Sequence, residues 1–112
     1  ALPNVRVCLD TGHAAIFDVD VASAVRYIGA RLEALHIHDN RGMDDEHLRP
    51  GDGVVDWNAF AEALSDIGFS GVLSLETSPK HSLYPECEWK EQEDKLFNNL
   101  SKMAEKAANG QK

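Results

Sequence analysis

The chain has 112 residues, 43% hydrophobic and 27% charged, with 11 basic side chains against 19 acidic ones and a net charge of -8. This is one domain's worth of ordinary composition; it has no run near the roughly 18 apolar residues of a membrane span, and no signal-peptide pattern at its start. The acidic balance disfavours nucleic acid as the main partner, since non-specific affinity comes mostly from Lys and Arg on phosphates, and two cysteines, Cys8 and Cys87, make no disulfide framework and fit a cytoplasmic setting.

In chain order, residues 4–10 read as a strand, Val5-Arg6-Val7-Cys8-Leu9 running into Asp10, with a turn-like Asp10-Thr11-Gly12-His13 behind it. A helix is expected from Asp20, a good N-cap, to Gly29, with Ala22, Val25, Tyr27 and Ile28 facing the sheet. In the second strand, residues 32–37, the apolar run Leu32-Glu33-Ala34-Leu35 runs into His36, and a long connection follows from His38 to Val55. Connections of that length are unusual in a small α/β domain and usually functional. Asp56 then caps a helix carrying Trp57, Phe60, Ala61, Leu64 and Ile67 at helical spacing, stopped by Gly68. A third strand, residues 71–76, ends on Glu76; a polar loop with His81 follows, treated as surface. The last helix, from about Glu86, has Trp89, Leu96, Phe97, Leu100, Met103 and Ala104 on one period, where both tryptophans read as packing. The result is an α/β chain of three βα units, too short to close an eight-stranded barrel of about 250 residues.

Parallel βα units carry their chemistry at the carboxyl ends of the strands. Asp10, His36 and Glu76 would therefore meet at one mouth. Two carboxylates and an imidazole make an oxygen-rich site suited to Mn²⁺ or Mg²⁺, with Co²⁺ or Zn²⁺ as further options. A Glu ending an apolar strand is costly to bury without a cation, a substrate proton or a salt bridge to offset it. His13 follows Asp10 at Asp-x-x-His spacing, so its imidazole can reach metal or substrate oxygen; the plainer reading is a capping Asp and a surface His. His36 and His38 share one side of their strand. Asp39 either orients an imidazole or starts the loop with an Asx-turn. In the loop, Asp45 and His47 form an Asp-x-His pair, whereas Asp44 and Glu46 read as a solvated acidic turn.

Taken together, Leu9-Asp10-Thr11-Gly12-His13, His36-Ile37-His38-Asp39-Asn40, Asp45-Glu46-His47-Leu48-Arg49-Pro50-Gly51-Asp52-Gly53, Asp56-Trp57 and Leu75-Glu76 resemble, in this order, the carboxyl-terminal part of the xylose-isomerase-like TIM barrels. That superfamily includes sugar-phosphate isomerases and epimerases, hydroxypyruvate isomerases, inosose dehydratases and endonuclease IV. The resemblance implies that residues 1–112 are strands six to eight of such a barrel with their helices. It makes Asp10, His36 and Glu76 metal ligands and His13 a substrate-binding imidazole. It offers Asp45 and His47 as further zinc ligands of the endonuclease type, although many isomerase-type members carry a similar stretch. Arg41 stands near a substrate-binding Arg of the ketose 3-epimerases, one residue short of its spacing. The family's metal-site Glu from strand five has no counterpart here, and the chain begins at Ala1 rather than Met, so a fragment or a partner segment completing the barrel is expected. Alone, its exposed edges and apolar helix faces would invite self-association.

The resemblance implies a metal-dependent sugar isomerase or epimerase, in which the cation stabilises an enediolate-like intermediate, Glu76 moves a proton beside the carbonyl, and His13 steadies a substrate oxygen. An abasic-site nuclease with several zincs, and a truncated or oligomerising α/β fragment without catalysis, are the alternatives.

Overall fold

The computed structural model describes residues 2–77 and 89–109, with the side chains of Trp89, Gln92, Glu93 and Leu96 outside that description. His81 and Cys87 also lie outside the described residues. Element order is β1 (Val7–Asp10), α1 (Thr11–Ile16), α2 (Val21–Ile28), a short 3₁₀ turn (Gly29–Arg31), β2 (Leu32–His36), α3 (Trp57–Asp66) and α4 (Trp89–Asn109).

β1 and β2 are parallel, with Cys8 opposite Ala34, Leu9 opposite Leu35 and Asp10 opposite His36. The register alone sets Asp10 beside His36 at the carboxyl ends of neighbouring strands. The expected third strand is much reduced. Among the described residues it survives as one parallel bridge between Ile37 and Leu75, held by Ile37 N–H to the Ser74 carbonyl at 2.8 Å and Glu76 N–H to the Ile37 carbonyl at 2.9 Å. Val72 is 74% exposed, so it contributes no buried face that would extend the ladder. Those two hydrogen bonds nevertheless carry Glu76 to the end of β2. The three expected βα repeats are thus two paired strands plus one bridged segment, still with parallel order.

The helices form as their caps and periods dictate. Asp20 accepts from Ser23 N–H at the start of α2, and Gly29 ends it at φ 59°, a left-handed conformation that glycine adopts without penalty. Asp56 caps α3 in the same way through Ala59 N–H at 3.0 Å. Val21, Ala22 and Val25 of α2 meet Leu32, Leu35 and Ile37, and Phe60, Ala61, Ala63 and Leu64 of α3, in one core that Met103 and Ala107 of α4 complete. Tyr27 was expected to face the sheet but is 86% exposed, because it falls between the buried ridges of Val21, Ala22 and Val25. Phe97 also departs from its expected side, at 71% exposure, and Ala104 is exposed beside buried Met103. The turn expected after β1 is instead the first turn of α1, with Asp10 as its N-cap. Among the described residues no helix is long and apolar enough to cross a membrane.

Candidate metal centre

Asp10 caps α1 through His13 N–H to Oδ1 at 2.9 Å, which turns the carboxylate across the strand ends. His36 sits beside it by register, with Nδ1 3.5 Å from Oε1 of Glu76. One donor atom from each of Asp10, His36 and Glu76 falls within 4.8 Å of the others. Leu32 and Leu35 of β2 enter the core while His36 stays outside it, and the three ligand-type groups lie at the carboxyl ends of the paired segments.

A second group adjoins the first. Donor atoms of His38, Asp45 and His47 also fall within 4.8 Å of one another. His13 links the two groups, with Nδ1 3.5 Å from Asp10 Oδ2 and Nε2 3.4 Å from Asp45 Oδ2. His47 Nδ1 lies 2.7 Å from the Glu76 carbonyl oxygen. A carbonyl only accepts, so that nitrogen carries the proton and Nε2 faces Asp45 Oδ2 at 3.2 Å. Burial works to lower the His47 pKa, but the Glu76 carbonyl and the Asp45 carboxylate outweigh it and raise the value on balance. Burial works to raise Asp45, and its contacts with His47 and His13 outweigh this to lower it.

His38 is fully buried, and its ring stacks on that of His47 at 4.0 Å with planes 2° apart. Nε2 stands 2.7 Å from Asp10 Oδ1 and 3.9 Å from Glu76 Oε2, and Nδ1 stands 3.8 Å from Asp45 Oδ1. Neither nitrogen makes a hydrogen bond of acceptable geometry among the described residues. Buried imidazole nitrogens almost always have a partner. A buried imidazole that faces several carboxylates without a well-formed hydrogen bond fits a site that receives a cation, and the donor set of carboxylates and imidazoles is chemically suited to one.

The surrounding framework is polar and closed. Thr11 Oγ1 donates to the His38 carbonyl at 2.7 Å and accepts from His38 N–H at 3.0 Å, tying α1 to the end of β2. Asn40 is buried, donates from Nδ2 to the Gly12 carbonyl at 2.8 Å, and accepts from Gly42 N–H. Asp39 accepts from backbone N–H groups and the Trp57 indole, and among the described residues it orients no imidazole. Arg41 is not among the grouped side chains: Glu46 holds its guanidinium, with Nε 3.0 Å from Oε2. Glu46, expected to be solvated, is mostly covered, and the hydrogen bond from Arg41 holds its carboxyl below the usual range. The structural parts played by Thr11 and Asn40 were not read from the sequence. Their signal was adjacency to ligand-type residues, in Asp10-Thr11-Gly12 and His38-Asp39-Asn40.

Residues 1–100 match the family described as xylose isomerase-like TIM barrel. The chain belongs to that family. A D-psicose 3-epimerase of Ruminiclostridium cellulolyticum is 38% identical over 74 residues, covering 65% of this chain and 23% of that protein. An inosose isomerase of Bacillus subtilis is 32% identical over 79 residues, covering 65% of this chain and 28% of that protein. The crystal structure of a D-tagatose 3-epimerase-like protein superposes with a TM-score of 0.65 at 30% identity, covering 92% of this chain and 37% of that one. The chain spans a third or less of the curated relatives named here. Family members thus include sugar isomerases and epimerases, and the parallel strands and flanking helices described above are part of the family's barrel.

Proposed function

We propose that the protein is a metal-dependent sugar isomerase or epimerase that transfers a proton next to a carbonyl, with residues 1–112 forming strands six to eight and the carboxyl-terminal part of its barrel. The observation that carries this reading is the convergence of Asp10, His36 and Glu76 at the carboxyl ends of parallel segments. These three would hold the divalent cation, Mn²⁺ or Mg²⁺ by the hardness of two carboxylates, with Co²⁺ or Zn²⁺ admitted by the imidazole. A bound cation supplies charge stabilisation to adjacent hydroxyl and carbonyl oxygens of a sugar.

The chain's own groups then have distinct work. Glu76 has one oxygen turned to His36 and the other toward His38, and it moves the proton at the carbon beside the carbonyl. His13 is exposed above Asp10 and Asp45, within reach of a substrate oxygen that it steadies. Arg41 reaches substrate only by leaving Glu46, so its part is recognition at the rim. The test is elemental analysis of the whole protein with a screen of ketoses, free and phosphorylated. Bound Mn, Mg, Co or Zn together with isomerisation or epimerisation supports the reading. A protein that holds no divalent cation and turns over no sugar removes it.

The second group, His38, Asp45 and His47, favours one alternative, an endonuclease of the several-zinc kind. About three bound zincs with cleavage of abasic DNA would establish that alternative. The net charge of -8 weighs against it.

A further inference from the structure

The loop between β2 and α3 carries Asp45 and His47 without a regular element of its own. Ordering so many residues costs conformational entropy that local pairing does not return. Asp39 is where that loop is gathered. Its backbone exchanges both hydrogen bonds with Leu48, at 2.8 Å each, fixing the residue next to His47. Its side chain is fully buried. Oδ1 accepts from Asn40 N–H at 2.9 Å and Val55 N–H at 3.2 Å. Oδ2 accepts from Gly51 N–H and Gly53 N–H at 3.1 Å each, and from the Trp57 indole at 2.8 Å. The donors span the loop from Asn40 to the start of α3.

Two further features depend on this gathering. His47 has φ 53°, a conformation unfavourable for a residue with a side chain. It persists because Leu48 is pinned to Asp39 on one side and His47 Nδ1–H is held by the Glu76 carbonyl on the other. Gly53 lies so close that a Cβ there would stand 2.4 Å from Asp39 Oδ1 and 2.0 Å from the Asn40 carbonyl oxygen. The loop therefore wraps the carboxylate at a distance only glycine allows.

We propose that Asp39 is a positioning residue: its carboxylate acts as the template that holds Asp45 and His47 against the Asp10, His36 and Glu76 group. The role deepens the cation-site reading and rests on it for its catalytic meaning, but not for its geometry. Among the described residues every partner of the carboxylate is an N–H donor, so the group acts as an acceptor only. An Asn in its place turns an NH₂ against donors and frees the loop, while the β1 and β2 ends stay in register.

The test uses the whole protein with Asp39→Asn and, separately, Gly53→Ala, which pushes the loop off an unchanged carboxylate. Amide hydrogen exchange is followed residue by residue, and Co²⁺ binding by its visible absorption. In both variants the Gly51, Gly53 and Val55 amides should exchange about a hundredfold faster while α2 and α3 keep their protection. Co²⁺ affinity sensitive to Asp45→Ala should fall about 10- to 100-fold, with affinity sensitive to Glu76→Gln retained. Unchanged loop protection in either variant overturns the proposal. So does loss of protection throughout α2 and α3 in both, which makes Asp39 a general determinant of the fold. If the unmodified protein binds no cation, the proposed function fails, and the exchange pattern alone decides the role of Asp39.

Discussion

Replacing Gly12 with Ala sets helix propensity against packing at the base of the site. Gly12 lies in the first turn of α1, where Ala in place of Gly would stabilise the helix by up to about 1 kcal/mol. The added Cβ would stand 2.0 Å from His38 Cε1 and 2.3 Å from Nδ1. Non-bonded heavy atoms settle near 3.5–4.0 Å, so the ring would have to retreat by roughly 1.5 Å. It has little room. The ring is fully buried, His47 is stacked on it at 4.0 Å, and Thr11 Oγ1 holds the His38 backbone from both its N–H and its carbonyl. Overpacking of this kind costs about 1–3 kcal/mol. Set against the full helix gain, this leaves a net loss of about 0–2 kcal/mol. The retreat also withdraws Nε2 from Asp10 Oδ1, so divalent cation affinity should fall. Urea unfolding followed by circular dichroism, with and without Mn²⁺, measures both effects. A Gly12→Ala protein as stable as the unmodified one, with the same Mn²⁺ affinity, would refute the placement of His38.

Glu76→Gln keeps the backbone hydrogen bond to Ile37 and removes only the charge, so turnover should fall by a factor of at least about 100 with the unfolding midpoint little changed; retained turnover would remove Glu76 from the chemistry. The Asp45 and His47 pair sets a pH dependence of stability in the cation-free protein. His47, raised above its ordinary 6.5, contributes stability present below that value and lost as pH rises through the folded value. Asp45, lowered from 3.8, contributes stability present above that value and lost as pH falls through the folded value. Urea midpoints should therefore be highest in the mildly acidic window between them, and a flat profile from about pH 4 to 8 would contradict the pairing. A cation held by the second group of His38, Asp45 and His47 needs the His47 imidazole neutral, so calorimetry in two buffers should show proton release for that site below the raised His47 value. Asp20→Ala removes the acceptor for Ser23 N–H and should cost about 1 kcal/mol, read as a lower Tm, with no effect on cation binding.

Much of this arrangement is local and could be read along the chain. Asp20 and Asp56 announce their helices because a carboxylate before an apolar helical period has one strong use, to satisfy first-turn N–H groups. Asp10, His36 and Glu76 each end an apolar run, and parallel order forces such ends together whatever the details of the loops. Other features depend on separations that periodicity does not encode. Tyr27 sits on the right helix but turns outward, because which side is covered depends on the angle at which α2 meets β2 and α3. Residues 71–76 have a strand's composition, yet among the described residues their pairing is limited to the bridge at Leu75. Asp39 left two readings open in the sequence; the structure chose a third, because five donors from positions 40 to 57 converge only after the loop has closed. The stacking of His38 on His47 is decided the same way. One-dimensional pattern reports which face a residue offers and where an element ends; contacts across a long irregular loop are set by closure in space, and there the chemistry of this site was completed.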